Sequence, residues 1–420
     1  MNTRKKINYT IIFITAGLLL LPTMPAAQDI SFTGMLRSYG AARFFEKDVP
    51  VTEQTADVSL EGWVDKTEFK INPYVYIGAE GEPGIGVREA YIDLFLPSAD
   101  VRVGKQAIVW GKAEGAFITD IVSPQNLRSF ILADFKEIRM GVPAVKGSYY
   151  SGPFTFKAVW LPRVVPTKQP EKGSIWYTEK MDKLSGAEQP DDSLENSEVF
   201  GKVSYFGSIL NMELMAGYAW DDLPVLEGDI NLSTKQDNTK ALYERYTVAG
   251  GSFSTTIGSV VMRSEAAAYI DRAFTSIETE GPPVRTLETK EYNQFHGLAG
   301  IDWSIAGVDM SSQYIIKYIN NYDDSLIKDE FDHTATLRLR DSYLANTLRW
   351  EIFAYAGFDP SDFSDLSGSA DSLIRSSVTY KIEEGVEFKT GTEVFLGDEE
   401  GKFGRYNDNS LVYVSLRWYF

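Results

Sequence analysis

The stretch Leu411 to Phe420, LVYVSLRWYF, decides the fold. Side chains of a strand alternate between its two faces, so Val412, Val414, Leu416, Trp418 and Phe420 share one face, and Ser415, Arg417 and Tyr419 share the other. The first face is apolar up to the C-terminal carboxylate and ends in aromatics. A strand that seals a transmembrane barrel needs an apolar outer face with aromatic rings at the bilayer interface. Taken alone, the stretch also fits the closing edge strand of a soluble sandwich, and the rest of the chain has to separate the two.

The N-terminus points the same way. Arg4, Lys5 and Lys6 precede an apolar run from Ile11 to Leu21, and small residues follow at Ala26 and Ala27, the order of a secretory signal peptide spanning residues 1–27. The run is too short to cross a hydrocarbon core of about 30 Å as a helix, and no later stretch reaches the roughly 18 apolar residues a helix would need. The chain has no cysteine. That removes a lipoprotein anchor, a disulfide framework, a thiol nucleophile and a cysteine zinc site.

Composition is consistent with alternation rather than with membrane helices. Hydrophobic residues make up 44% and aromatics 13% of the 420 residues, yet the mean hydropathy is −0.20. Strands that alternate apolar and polar residues average out in this way. A net charge of −18 argues against a nucleic-acid partner, which would need a basic footprint.

Short and long connections then follow each other in turn. The short ones are VDKT (64–67), PSAD (97–100), SGP (151–153), FGS (206–208), TTIG (255–258), SIAG (304–307), DSYLAN (341–346) and IEEG (382–385), all hairpin-like. Longer polar connections lie between them at 46–54, 80–86, 111–134, 163–196, 221–239, 271–289, 320–330, 359–368 and 397–408. The pattern predicts an all-β transmembrane antiparallel barrel over residues 28–420, of about 18 strands with 16 also open, its short turns on the periplasmic side. A barrel of that size is too wide for its own side chains to fill, which implies an aqueous channel or a plug.

Parity assigns the pore wall, since charged residues have to face inward. Ala335, Leu337 and Leu339 face lipid while Arg338 and Arg340 face the lumen. Leu348, Trp350, Ile352 and Ala354 face out while Arg349, Glu351, Phe353 and Tyr355 face in. Ile374 and Val378 alternate with Arg375, and Val386, Phe388 and Val394 alternate with Glu387, Lys389 and Glu393. With Arg102 and Arg417 these charged residues form the expected pore lining. They can tune permeation or simply pair as a lattice that holds the wall round.

The connection at 111–134 is too apolar for a free loop: it carries Phe117, Ile118, Ile121, Val122, Phe130, Ile131 and Leu132. Ser123 can cap a short helix with Pro124 at its first position, followed by Gln125 to Arg128. Such a segment buries its apolar side by folding into the barrel or onto its mouth, where it narrows the passage; a surface loop packed on its neighbours is the alternative, and infolding is the favoured reading. Asp120, Arg128, Asp134, Glu137 and Arg139 are the expected constriction residues.

The runs VRVGKQAIVWGKAEG and DIVSPQNLRSFILADFKEIRM, with Tyr149 and Tyr150, resemble an uncharacterised family of porin-like outer-membrane proteins of Gram-negative bacteria. The resemblance covers Val101 to about Pro166. It rests on Gly104, Lys105, Gln106, Trp110, Gly111, Asp120, Pro124, Arg128, Phe130, Asp134, Phe135, Glu137 and Arg139. Asn126 stands where the family often has Asp, and Lys136 where it has an acidic residue. The resemblance implies a porin-like role, with a loose association to export of hydrophobic, sterol-like compounds.

Other chemistry finds little support. His296 faces the lumen by parity beside Gln294 and Asp302, so a serine-histidine-carboxylate site in the wall is conceivable, but no nucleophile elbow accompanies it. His333 falls near a rim. Gly81, Gly84 and Gly86 read as turn glycines rather than a phosphate loop. The acidic runs at Asp323 and Asp324, 359–365 and Asp398 to Glu400 lack a calcium-loop register, and are either a solvated rim or a place where divalent cations bridge to lipopolysaccharide. The sequence therefore predicts an outer-membrane channel for passive passage of small solutes, without a cofactor or a resident metal. Its expected partners are outer-membrane lipids, lipopolysaccharide and the barrel assembly machinery, which would read Trp418 and Phe420. A selective channel or export component for hydrophobic or amphipathic molecules is the second reading, and a barrel-wall enzyme or surface adhesin the third.

Overall fold

The computed structural model describes residues 29–78, 83–113, 115–130, 135–279, 283–360 and 371–420. The expected leader (1–27), Gly81, Asp134 and most of the acidic run at 359–365 lie outside the described residues. No described helix is long and apolar enough to cross a membrane.

The chain crosses with strands. The first are β1 (Asp29–Arg43), β2 (Val51–Val64), β3 (Thr67–Ile77), β4 (Pro83–Leu96), β5 (Ala99–Gln106), β6 (Val142–Ser151), β7 (Phe154–Leu161), β8 (Glu198–Phe206) and β9 (Leu210–Trp220). Three short strands, β10 (Val225–Asn231), β11 (Gln236–Asp237) and β12 (Lys240–Leu242), lie in one long connection. The wall resumes with β13 (Arg245–Ile257), β14 (Val260–Thr279), β15 (Val284–Ile305), β16 (Val308–Ile319) and β17 (Phe331–Tyr343). It ends with β18 (Leu348–Gly357), β19 (Asp371–Glu383), β20 (Val386–Leu396) and β21 (Leu411–Tyr419). Leaving out β10 to β12, successive strands pair antiparallel into a closed wall of 18.

Closure is made by the stretch that announced the fold. β21 pairs with β1 from Met35 opposite Tyr419 to Arg43 opposite Leu411, which closes the wall among the described residues. Phe420 extends this ladder: its N–H donates to the Gly34 carbonyl at 3.0 Å and its carbonyl accepts from Gly34 N–H at 2.8 Å. The Phe420 ring lies where a Gly34 side chain would stand. A glycine at position 34 leaves the room that the terminal aromatic fills.

The parity expected from the sequence is the parity observed. Val412, Val414, Leu416 and Trp418 are exposed on the outer surface, whereas Leu411, Tyr413 and Ser415 are buried on the inner one. Leu337, Ile352, Ile374, Val378 and Phe388 are exposed on the outside as well. The outer face carries aromatics towards both ends. At the short-turn end, Phe154 packs on Tyr205 at 5.2 Å and Trp418 on Phe420 at 5.3 Å between ring centres. Towards the other end, Tyr318 packs on Phe331 at 4.9 Å and His333 on Phe331 at 5.6 Å. His333 Nδ1 shares a hydrogen bond with Tyr314 Oη at 2.6 Å, so it belongs to this interfacial belt.

Each short connection is a tight turn. Left-handed residues sit where hairpin twist demands them: Asp65, Gly152, Gly258, Ala306, Gly307 and Gly385 all have φ between 53° and 92°. Three expectations about the long side change. Residues 271–279 and 284–289 are not a free loop, because β14 and β15 stay paired far beyond the wall. At roughly 3.3 Å per residue, the 20 residues of β14 are about twice as long as a bilayer crossing requires. Residues 221–239 are not free either: β10 pairs with β11 and β12 and docks on the projecting part of β15, Gly228 opposite Leu287 to Asn231 opposite Val284. Apolar alternation is weak in both segments, and hydrogen bonding between them makes the strands instead. Finally, Gly84 and Gly86 lie within β4, against the rings of Tyr76 and Tyr74, and not in a turn.

Candidate functional site

The connection between β5 and β6 folds into the barrel. Ile108, Trp110, Ala113, Ile118 and Val122 pack against inward residues of β6 through β16, among them Val142, Leu161, Phe200, Val248, Leu298 and Ile315. The inner face of these strands carries an apolar stripe, interrupted by buried charged residues such as Lys202, Glu213 and Glu265; a water-filled lumen would not favour that stripe, and the infolded segment covers it. Around the rest of the circumference the inner face carries ion pairs, with an apolar cluster of Ala41, Leu373, Phe395, Leu411 and Tyr413 on β1 and β19 to β21. The lumen is therefore two-sided: one side is filled by the segment, and the other is lined with ion pairs.

No helix starts at Ser123. The Ser123 hydroxyl instead accepts the Ile108 N–H at 2.8 Å, and Gln125 and Asn126 form bridges to Arg139 and Lys168. The extended backbone gains more from pairing with the return arm and with the 162–197 connection than from one isolated helical turn. The short helix forms later, at Phe135–Ile138.

Asp120 and Arg139 make an ion pair in which the side chains are only 2% and 7% exposed, and Asp120 also accepts the Trp110 N–H at 2.9 Å. Burial pushes the Asp120 carboxyl above its ordinary range, opposed by Arg139 and the backbone donors. Arg139 also lies over the ring of Phe117, at 5.2 Å. Glu137 reaches Arg37 on β1 at 2.8 Å, and Arg37 also pairs with Glu53 at 2.5 Å. Arg128 stacks on Tyr76 of β3 at 4.0 Å. At the far tip, Gly115 (φ 77°) abuts Phe353 of β18, where an added Cβ would stand 2.7 Å from the ring. The segment thus leaves the wall at β5 and touches it again at β1, β3, β14 and β18.

The expected pore-lining residues lie on the charged side, mostly in pairs. Arg102 donates to Asp93 at 2.8 Å, Arg338 to Glu351 at 2.9 Å, Arg349 to Glu387 at 2.6 Å, and Arg375 to Glu393 at 3.0 Å. Arg340 lies 3.5 Å from Asp309, both half-exposed. Arg417 stands in register with Arg37 on β1 and Glu387 on β20, and Lys389 with Ser415 and Thr379. Unlike pairs on neighbouring strands nearly cancel one another along this wall.

Sequence reasoning missed two parts of the site. Phe130 enters an aromatic cluster with Trp176, Phe395 and Tyr406, with ring centres 4.9 to 6.1 Å apart, which ties three long connections together over the outer end of β19 to β2. Trp176 and Phe403 are aromatics within otherwise polar connections, a signal too sparse to place them together. The other part is on β14, where Glu265 and Tyr269 take hold of the infolded segment. His296 does face inward, 4.5 Å from the Tyr269 ring, but neither ring nitrogen has a hydrogen-bond partner among the described residues. The nucleophile-base pair of the hydrolase reading is not formed there. Among the described residues no group of three or more His, Asp or Glu is placed to hold a metal ion.

Solved structures share this architecture. OccD3 (OpdP) of Pseudomonas aeruginosa aligns with a TM-score of 0.54 at 10% identity, over 94% of this chain and 91% of that one. OccK3 (OpdO) of the same organism gives 0.54 at 11% identity, over 94% and 96%. OccK2 (OpdF) of that organism, in complex with glucuronate, gives 0.53 at 7% identity, over 94% and 98%. The fold is that of the outer-membrane porin barrels. Residues 78–326 match the family described as protein of unknown function, DUF1302, and the chain belongs to that family. No curated protein matches it.

Proposed function

We propose that this protein is an outer-membrane channel for passive passage of small solutes, narrowed by its infolded segment. One observation supports the reading: described residues of the β5–β6 connection pack on inward residues of β6 to β16 and reach Phe353 of β18, which would leave solutes the space between this segment and the ion-paired wall. Asp120, Arg139 and Glu137 hold the segment's shape, and Arg37, Arg338, Arg349 and Arg375 with their carboxylates border the passage. The similarity to a barrel that holds glucuronate supports solutes that are small and hydrophilic. The surrounding lipid, lipopolysaccharide at the long-loop rim, and an assembly machinery that reads Trp418 and Phe420 complete the proposal.

Purified protein in planar bilayers tests it. Steady conductance that scales with salt and rises when residues 112–133 are deleted is the expected outcome. Absence of conductance in both forms refutes the channel. If the protein instead carries hydrophobic molecules, it should conduct poorly and retain lipid through purification.

A further inference from the structure

We infer that β14 is the latch of the infolded segment and that Glu265 is its central positioning residue. This rests on the channel reading for its consequence but not for its geometry. Three inward side chains of β14 take hold of the segment's backbone. Arg263 donates to the Lys112 carbonyl at 3.1 Å, and Tyr269 Oη donates to the Ile118 carbonyl at 2.8 Å. Glu265 lies between them, 3% exposed. Its carboxylate accepts the Lys112 N–H, the Thr119 hydroxyl at 2.9 Å and the Thr119 N–H at 3.4 Å.

Every hydrogen bond described for the Glu265 carboxylate comes from the infolded segment. No lysine or arginine lies within ion-pair distance of it among the described residues, in contrast to Arg263, which pairs with Asp302. A buried carboxylate needs donors, and charge-assisted hydrogen bonds are the strong kind. Glu265 and the segment therefore stabilise each other: the carboxylate is satisfied only while residues 112 and 119 are in place. Gly111 fits this grip, because an added Cβ there would meet Asp120 Cβ at 2.8 Å and the Glu265 carboxylate at 3.5 Å. The latch holds the half of the segment that fills the lumen and leaves its far tip resting on Phe353. Loss of the latch frees that half to move, and the width of the passage follows.

The chain has no cysteine, so two introduced cysteines at Ala116 and Phe353 report segment position without background. Spin labels there should give one narrow short distance in the parent. Glu265→Gln, which keeps the shape and removes the charge, should raise the open population about 10- to 100-fold, as expected when hydrogen bonds to a charged group are lost. Glu265→Ala should broaden the distance further and move single-channel conductance towards that of the 112–133 deletion, while heat-modifiable migration shows the barrel intact. Thr119→Val should reproduce part of the effect. An unchanged distance in both Glu265 variants overturns the latch, even if the channel conducts. A shifted distance without conductance in any form leaves the latch standing and refutes the channel.

Discussion

Replacing Arg139 by Met should open the infolded segment without unfolding the barrel. The side chains of Asp120 and Arg139 are 2% and 7% exposed, so both charges are largely out of water. Removing one partner of such a pair strands the other and costs about 3–5 kcal/mol. At about 1.4 kcal/mol per tenfold, this is roughly two to three and a half orders of magnitude in the population of the open segment. The pH dependence has a definite sign. Burial already raises the Asp120 carboxyl above its unfolded value, so stability from this group is present at acid pH and lost as pH rises through the folded pKa. Without Arg139 the carboxyl rises further, and the Arg139→Met deficit should be large at neutral pH and shrink towards acid pH. The double variant Asp120→Asn, Arg139→Met should recover most of the loss. Amide hydrogen exchange of residues 107–141 in detergent measures it. Additive single losses, or a deficit that grows on acidification, would refute the buried-pair reasoning.

Gly34→Val places a side chain in the space of the Phe420 ring and should cost about 1–3 kcal/mol at the closing seam, read from urea unfolding in lipid vesicles. Phe130→Ala should remove about 3–5 kcal/mol from the cluster around Trp176 and raise protease sensitivity in residues 162–197. Arg340→Ala should change stability by less than about 1 kcal/mol, because Arg340 and Asp309 are 53% and 54% exposed. Arg375→Ala should cost several times more, since the carboxylate it leaves, Glu393, is only 1% exposed.

The wall was legible because lipid enforces it: an outward charge or an open edge is too costly, so parity at Leu337, Arg338, Ile352 and Arg375 could be read from neighbouring residues alone. The infolding of the connection between β5 and β6 was legible from its excess of apolar residues, such as Ile118 and Val122. Its internal shape was not. Ser123 and Pro124 carry a helix-start signal, but Ile108, Arg139 and Lys168 supply bonding partners from distant positions, and tertiary pairing overrides a local preference. The projecting β14 and β15 carry only scattered apolar residues among polar ones, Phe274, Leu287 and Tyr292 among them, and left no period-two signal. Glu265 resembled any inward glutamate of the wall, and its role depends on the backbone of a segment about 150 residues away.

The two-sided wall is tested most directly by scanning single spin-labelled cysteines along β18, from Leu348 to Gly357, in lipid vesicles. Labels at Leu348, Trp350, Ile352 and Ala354 should collide mainly with oxygen, and labels at Arg349, Glu351 and Tyr355 mainly with a water-soluble nickel chelate. A profile with no period of two, or one in which Arg349 and Glu351 meet lipid, would contradict the barrel and everything built inside it.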